Sequence, residues 1–372
     1  MQFIDLGAQQ DHIKSLLDER MARVLSHGNY IMGPEIGELE TALSDFCGAK
    51  HSLTCANGTD ALQLALMAAE IGAGDAVFVP SFTFASTAEI VPMVGATPFF
   101  VDVCADSFNM DADSLARSVD AARKMGLRPA AVIPVDLFGL SADYDRLGDI
   151  ARAEGMIVIA DSAQGFGASY KGRVSGSIGD ISTTSFFPAK PLGCYGDGGA
   201  LFTDNDDWAD MIRSLRVHGK GHHKYENVRL GLNSRLDTLQ AAILLAKLSV
   251  YPQEIEKRQA VAERYDAALR DVIEVPVVAE GYRSVWAQYT LKARDADHRT
   301  AIMDTLSRND IPSAIYYPKP LHMQKAYMNY PGDPDGLAIS ATLADQVFSI
   351  PMHPYLDEMT QDQIIAGLRK AI

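Results

Sequence analysis

The chain has 372 residues, of which 47% are hydrophobic and 22% charged, and its formal net charge is −15 at pH 7. This length and composition predict a globular protein with a large buried core and two or three domains. The negative charge opposes binding to nucleic acid or to an anionic membrane surface, so we expect neither as a partner.

The N-terminal residues and the cysteines of the sequence indicate its cellular compartment. The first ten residues carry neither a basic nor a long apolar segment, and no apolar run approaches the roughly 20 residues that span a bilayer. Four cysteines without paired CxxC spacing are typical of reduced thiols. His218, His222 and His223 lie in a glycine-broken basic loop without an acid or cysteine at ligand spacing, so we expect no metal. We therefore predict a cytoplasmic protein.

Two amphipathic helices are predicted at residues 11–27 and after Gly33-Pro34, followed by a short strand at residues 52–55. The strand runs into Asn57-Gly58-Thr59 and then into an apolar-periodic helix. Unpaired amides at a helix start attract a phosphate, to which the Thr59 hydroxyl can also donate. The simpler interpretation is that Asn57 or Thr59 only caps the helix.

The middle of the sequence alternates between apolar strands and helices up to a strand at residues 157–160, which predicts a mostly parallel sheet covered by helices on both faces. Ser81 to Phe84 is expected to open a helix, and Phe84 there suits either core packing or ring stacking. Asp161 and Gln164 follow the last of these strands, where ligands of α/β sheets gather. A buried Asp161 needs a cationic or donating partner, although a helix cap is the alternative.

Lys190 lies in a stiff loop, between Pro188 and Pro191, after a β-rich segment at residues 181–187. Proline restricts both its own backbone and that of the preceding residue, so Lys190 cannot continue a regular element. An amine at the end of a strand beside apolar surface has a lowered pKa and can attack carbonyls. A solvated surface turn is the alternative interpretation.

A long helix is predicted to start within residues 231–237, capped by Asn233 or Ser234, with Arg235 in its first turn. Because a cation there opposes the helix dipole, we expect Arg235 to bind an anion. From Tyr251 onward the sequence predicts helices and two strands, at residues 286–292 and 313–317. We therefore expect a large domain at residues 1–250 and a smaller α/β domain at residues 251–372.

Four motifs appear together in this order: N-G-T-D-A-L, D-S-A-Q-G-F-G-A, S-F-F-P-A-K-P-L-G and G-L-N-S-R-L-D-T-L-Q-A-A. Over essentially its whole length the chain resembles the DegT/DnrJ/EryC1/StrS family of sugar aminotransferases, which have the fold-type I architecture and use pyridoxal 5′-phosphate (PLP). The resemblance implies that Lys190 binds PLP covalently, Asp161 pairs with its pyridine nitrogen, and Gln164 faces its ring hydroxyl. It places Phe84 on the ring face, Gly58, Thr59 and Ser185 at the phosphate, and Asn233 at the phosphate of the neighbouring subunit in a homodimer.

The sequence is especially similar to members that transfer an amino group from glutamate to UDP-linked 3-keto sugars for bacterial O-antigen. This similarity implies that Arg235, Tyr316 and Tyr317 contact the sugar. Uronate-specific members carry histidine where Tyr316 stands, so the C5 substituent, carboxylate or hydroxymethyl, stays open. The alternatives are another nucleotide 3-keto or 4-keto sugar, a sugar dehydratase, in which histidine replaces Lys190, and a regulatory protein that binds PLP or DNA without chemistry.

Overall fold

The computed structural model describes residues 1–223 and 225–372. Within these residues the helices are α1 (Leu6–His12), α2 (Lys14–His27), α3 (Pro34–Cys47), α4 (Gly58–Ala68), α5 (Ser86–Met93), α6 (Ala112–Lys124), α7 (Tyr144–Glu154), α8 (Asp206–Leu215), α9 (Thr238–Leu248), α10 (Tyr251–Leu269), α11 (Ala296–Arg308), α12 (Ala338–Gln346) and α13 (Glu358–Ala371). The strands are β1 (His51–Cys55), β2 (Asp75–Pro80), β3 (Thr97–Val101), β4 (Arg128–Val132), β5 (Ile157–Asp161), β6 (Ser169–Tyr170), β7 (Arg173–Val174), β8 (Ile181–Ser185), β9 (Gly199–Thr203), β10 (Tyr282–Arg283), β11 (Tyr289–Lys292) and β12 (Val347–Ile350).

The main sheet has the strand order β1-β9-β8-β5-β4-β2-β3 within the described chain. Strands β3, β2, β4, β5 and β8 are paired in parallel, whereas β9 runs antiparallel to both β8 and β1. Helices cover both faces, because separate apolar clusters join the sheet to α4 and α5 and to α6 and α7. Strands buried on both faces are expected to be continuously apolar, as β2 is. The predicted α/β class with a mostly parallel sheet is confirmed.

The direction of the strands brings four loops to one edge of the sheet. Strands β1, β2, β5 and β8 all point the same way, so the residues that follow them lie at a common carboxyl edge. The strand register places Asp161 level with its neighbours on both sides, since it pairs with Thr183 of β8 and forms a bridge with Val135 after β4. This edge is where an open α/β sheet binds ligands.

The structure differs from the prediction at residues 81–84, at residues 313–317 and at the start of β11. Residues 81–84 are not helical, since the Ser81 amide bonds to Val101 and its carbonyl accepts from Leu321, and α5 begins at Ser86. Residues 313–317 form only a single bridge, from Ala314 to Ser349, and the flanking prolines 312 and 318 cannot donate to a longer ladder. Strand β11 begins at Tyr289, and not at residue 286, because the Gln288 amide is tied to Phe138.

The C-terminal part of the chain has an apolar core of its own. Helices α10, α11 and α13 pack around the two-stranded sheet of β11 and β12, with Tyr265, Leu291 and Phe348 fully buried. The division into domains at residue 250 stays a prediction. All four cysteines are free thiols, as predicted. Among the described helices, none combines the length and the apolar character that a membrane span requires.

Candidate active site

A cavity of about 670 Å³ opens at the carboxyl edge of the sheet. It lies where the loops after β1, β2, β5 and β8 meet the C-terminal part of the chain. Nine of the residues that the sequence predicts for the site line it, namely Gly58, Thr59, Phe84, Asp161, Gln164, Ser185, Lys190, Tyr316 and Tyr317. The fold therefore brings together side chains that are up to 259 positions apart in the sequence (58 to 317).

Lys190 lies in the loop after β8, where its backbone amide donates to the Phe187 carbonyl at 2.8 Å. The residue as a whole is half-buried, but its amine lies inside the cavity. Burial lowers the pKa of Lys190, and the negative charge of Asp161 opposes that shift only in part. The amine forms no ion pair with any residue in the described ranges. An unpaired amine of lowered pKa in a cavity is suited to nucleophilic attack and to proton transfer.

Asp161 ends β5 and is buried in the cavity wall. One carboxylate oxygen accepts from the Thr87 hydroxyl at 2.9 Å, and the other from the Ala163 amide at 3.2 Å. Burial raises the pKa of Asp161, while these two hydrogen bonds and the charge of Lys190 act in the opposite direction. Such a carboxylate is stabilised by a cationic donor placed beside it.

The N-terminus of α4 forms another part of the wall. The Asn57 side chain caps the helix by accepting from the Asp60 amide at 2.8 Å, which leaves the amides of Gly58 and Thr59 without partners among the described residues. A Cβ placed on Gly58 would approach the Ser185 Cβ to 2.7 Å, so only glycine allows this close packing. Two free amides, a helix dipole and the adjacent Ser185 hydroxyl form an anion site.

Gln164, Tyr317 and Phe84 line the cavity on the side of the C-terminal segment. Gln164 is held at both ends of its carboxamide, accepting from the Phe138 amide at 2.9 Å and donating to the Tyr317 hydroxyl at 3.1 Å. Burial raises the pKa of Tyr317, so its phenol is neutral. The Phe84 ring lies 6.3 Å from that of Tyr317 and is 54% exposed, which leaves a face free for a ligand ring.

The cavity fits PLP on three grounds that its own residues provide. It has an anion site at one end, a carboxylate that lacks a cationic partner, and an amine of lowered pKa with no ion pair within the described chain. Space separates Asp161 from Lys190, since they interact electrostatically without forming an ion pair. A planar cation with a phosphate group would satisfy both ends of this arrangement.

Asn233 and Arg235 lie outside the cavity of their own chain. The predicted helix start at residues 231–237 is wrong, because α9 begins at Thr238, with Asp237 as its cap. The preceding segment is extended along the exit of α8, where the Ser234 amide donates to the Arg216 carbonyl and Asn233 pairs with Val217. Arg235 is therefore not in a first helical turn, and the dipole argument for an anion beside it does not hold.

Arg235 nevertheless lacks an acceptor. Its Nε is buried without a hydrogen-bond partner, and its guanidinium forms no ion pair within the described ranges. Asn233 is exposed. Both side chains are free to contact a group that this chain does not itself provide.

Sequence reasoning did not identify three further residues of the site. Thr87, on α5, donates to Asp161, and Asp197 and Gln288 line the cavity. A buried threonine in the first turn of a helix was the available signal for Thr87. Nothing local distinguishes Gln288, because its position in the wall depends on how the C-terminal segment crosses the sheet.

The sequence profile of the DegT/DnrJ/EryC1/StrS aminotransferase family matches residues 11–369. The chain is 46% identical over 369 residues to UDP-2-acetamido-2-deoxy-3-oxo-D-glucuronate aminotransferase of Pseudomonas aeruginosa, covering 99% of both chains. It is 38% identical to UDP-N-acetyl-3-dehydro-alpha-D-glucosamine 3-aminotransferase of Acidithiobacillus ferrooxidans, covering 99% of this chain and 97% of that one.

Solved structures show the same fold. A DegT DnrJ EryC1 StrS aminotransferase from Brucella abortus superimposes with a TM-score of 0.97 at 51% identity, covering 100% of this chain and 99% of that one. More distant aminotransferase structures from Streptococcus pneumoniae, at 26% identity and TM-scores of 0.86 and 0.88, are PLP and PMP forms. The predicted fold-type I architecture and PLP as the cofactor are thereby confirmed.

Proposed function

Because the chain belongs to the DegT/DnrJ/EryC1/StrS aminotransferase family, we propose that it moves an amino group from L-glutamate to C3 of a UDP-linked 2-acetamido-3-keto sugar. It is a PLP-dependent nucleotide-sugar aminotransferase. The observation that carries the proposal for the site is that Lys190 and Asp161 face one cavity, each with its pKa shifted by burial and without an ion pair between them.

Lys190 has two roles in this proposal. Its Nζ would hold PLP covalently in the resting enzyme, and its free amine would serve as the general base that moves a proton at the substrate carbon. When bound, PLP withdraws electrons from the carbon that carries the amino group. The lowered pKa of Lys190 keeps Nζ neutral in a larger fraction of molecules, as a general base requires.

The other residues bind and orient. The Asp161 carboxylate, fixed by Thr87 and Ala163, accepts from the protonated pyridine nitrogen and thereby gains the cationic partner that its burial demands. The amides of Gly58 and Thr59 and the Ser185 hydroxyl bind the phosphate. Gln164 donates to the ring hydroxyl, and Phe84 covers the ring face. Tyr316 and Tyr317, which line the same cavity, contact the sugar in this proposal.

We propose a homodimer in which Asn233 completes the phosphate site of the partner. The support is that Asn233 is exposed and lies outside its own cavity. An exposed apolar turn formed by Tyr30, Ile31 and Met32 lies against the start of α9, a few residues along the chain from Asn233, since the Tyr30 carbonyl accepts from the first amide of α9. An apolar surface of this kind next to an incomplete site favours a second copy of the chain.

The acceptor follows from two relatives that act, by their names, on UDP sugars oxidised at C3. The more similar one takes the glucuronate, so we favour a C5 carboxylate, with the unpaired Arg235 as its partner across the dimer. The product would enter a bacterial surface polysaccharide. A nucleotide-linked acceptor and four free thiols favour a cytoplasmic enzyme.

Two half-reactions measured separately test this proposal. Glutamate added to the purified holoenzyme should remove the absorbance of lysine-bound PLP and release one 2-oxoglutarate per site. The UDP-linked 3-keto sugar should then restore the absorbance and give a 3-amino sugar. A dehydratase, with histidine in place of the lysine, would show no lysine-bound absorbance to remove, and a regulatory protein would release no 2-oxoglutarate. Restoration by a 4-keto sugar alone would reject C3 as the reacting carbon.

A further inference from the structure

Gln288 lines the active-site cavity and carries a carboxamide that no described residue satisfies. Its Oε1 is buried without a hydrogen-bond donor, and its Nε2 forms no hydrogen bond within the described chain. Gln164, in the same wall, has both ends of its carboxamide bonded. A buried acceptor without a donor is unfavourable, so a ligand that supplies an N–H or O–H group at this position is expected.

The backbone fixes Gln288 relative to Gln164. Phe138 joins them, because its amide donates to Gln164 Oε1 and its carbonyl accepts from the Gln288 amide at 3.4 Å. Phe138 has a φ of 58°, a conformation that a bulky residue seldom adopts. The next residue, Gly139, packs so closely that a Cβ on it would lie 2.8 Å from the backbone nitrogens of Trp286 and Ala287. The two segments therefore cross in contact, which holds Gln288 in one position.

The surroundings of Gln288 limit the chemistry of this donor. The residue also lines a second cavity of about 20 Å³, which is walled mainly by apolar side chains such as those of Phe108, Leu137 and Trp286. A space of this size holds one water-sized group, and apolar walls favour a methyl group over water. Gln288 lines both cavities, so a substituent whose donor reaches its carboxamide lies beside apolar side chains. An acetamido group offers both an N–H donor and a methyl group, whereas a sugar hydroxyl provides only the donor.

We propose that Gln288 is a specificity-determining residue, whose Oε1 accepts from the N–H of the acetamido group at C2 of the acceptor sugar. This inference rests on the proposed function. The C2 substituent is attached to the carbon next to the reacting C3, so it has to enter the same cavity as Lys190. Both relatives named above act on acceptors that carry this acetamido group.

The test compares two UDP-linked 3-amino sugars, one with acetamido and one with hydrogen at C2, in the reverse reaction with 2-oxoglutarate. Gln288→Met keeps the length of the side chain but removes the acceptor, so kcat/KM for the acetamido sugar should fall by roughly tenfold to a hundredfold. For the 2-deoxy sugar it should fall by less than about threefold. Gln288→Glu, which keeps an acceptor oxygen, should recover most of the lost kcat/KM for the acetamido sugar.

Gln363→Met, on the exposed face of α13, is the matched control and should leave both values unchanged. Equal losses on the two sugars in Gln288→Met, or no loss on either, would overturn the inference while leaving the transaminase proposal intact. If the wild-type enzyme takes the amino group from neither sugar but still converts its cofactor with glutamate, the acceptor proposal fails and this inference fails with it.

Discussion

Two parts of the molecule contribute to the proposed site in different ways. The wall at the carboxyl edge of the sheet contains Lys190 and Asp161, held in place by the strands and hydrogen bonds of their own chain. Asn233 and Arg235, in the segment at residues 231–237, lie outside the cavity, the first exposed and the second without an acceptor among the described residues. The first part is complete within one chain, whereas the second has a clear role only if a partner chain faces it.

The difference separates the residues proposed to act on the reacting bond from those proposed to bind the cofactor phosphate and the C5 substituent of the sugar. Residues that act on the reacting bond are buried and have shifted pKa values, because burial itself prepares them. The residues expected at the phosphate and at the far end of the sugar, Asn233 and Arg235, lie outside the cavity. Substitutions in the first part should therefore lower kcat, whereas substitutions in the second should act through binding, of the cofactor phosphate at Asn233 and of the acceptor at Arg235.

The largest effect is expected for Lys190→Ala. Loss of the covalent link and of the proton-transferring amine should lower kcat by at least about 10⁴-fold, with the thermal midpoint of unfolding nearly unchanged. Steady-state kinetics and a melting curve check both parts. Lys370→Ala, near the exposed end of α13, is the control and should behave as wild type. Substantial turnover by Lys190→Ala would remove the distinction between the two regions.

Asp161→Asn should lower kcat by roughly 10²- to 10³-fold, since it removes a preorganised charge from the cavity. It should also change the pH dependence of covalent PLP capture by the apoenzyme, which requires a neutral Lys190. Burial lowers the pKa of Lys190 and the charge of Asp161 raises it, so loss of that charge lowers the pKa further. The midpoint of capture rate against pH, followed by absorbance, should therefore move to lower pH than in wild type.

Asp304→Asn, at an exposed position on α11, provides the matched change in net charge for this experiment and should leave the midpoint in place. A midpoint that moves to higher pH in Asp161→Asn, or does not move, would show that Asp161 and Lys190 do not share one electrostatic environment.

In the second region, Arg235→Lys should cost about 2 kcal/mol in kcat/KM for the uronate acceptor, because it loses the two-pronged guanidinium contact to a carboxylate. For the acceptor with hydroxymethyl at C5 the loss should be small. Steady-state kinetics on both acceptors measure the ratio, with Arg308→Lys as an exposed control. Similar losses on the two acceptors would reject carboxylate recognition by Arg235.

The smallest expected effect is a partial recovery of activity in mixed dimers, and it tests most directly whether Asn233 acts in the partner's site. Lys190→Ala and Asn233→Asp should each be inactive alone. After random exchange about half of the dimers are mixed, and each of these has one intact site of two, so about a quarter of wild-type activity should return. Absence of recovery, with subunit exchange verified by mass, would place Asn233 outside the partner's site.

Asn205→Asp serves as the control for the asparagine change. Asn205 caps α8 by accepting from the Trp208 amide, and aspartate caps a helix equally well. This variant should be active both alone and in mixtures.

The sequence was informative where function follows from local pattern. Strands that end in Asp161 and Ser185, and a glycine at a helix start, predict the wall of the cavity without any knowledge of distant contacts. The start of α9 was misplaced because Asn233 and Ser234 resemble caps. Their backbone instead pairs with the exit of α8, and the Ser234 hydroxyl accepts from the Ala56 amide.

Residues that only tertiary contacts bring to the site could not be predicted from local sequence. Thr87 belongs to the site because its hydroxyl, in the first turn of α5, reaches Asp161 at the end of β5, and Gln288 because the C-terminal segment crosses at Gly139. Two lysines, Lys190 and Lys247, have a pKa lowered by burial, and their positions in the fold distinguish them. Lys247, on α9, is buried with its pKa lowered to about 8, yet its ammonium lies over the Tyr195 ring and not in the cavity.

These two lysines define the most direct test of the central claim, that Lys190 is the residue that binds PLP covalently. Reduction of the holoenzyme with borohydride makes the lysine link permanent, and peptide mapping by mass then identifies the modified residue. We predict modification of Lys190 alone, at one cofactor per chain. Modification of Lys247, or of any lysine other than Lys190, would contradict the account.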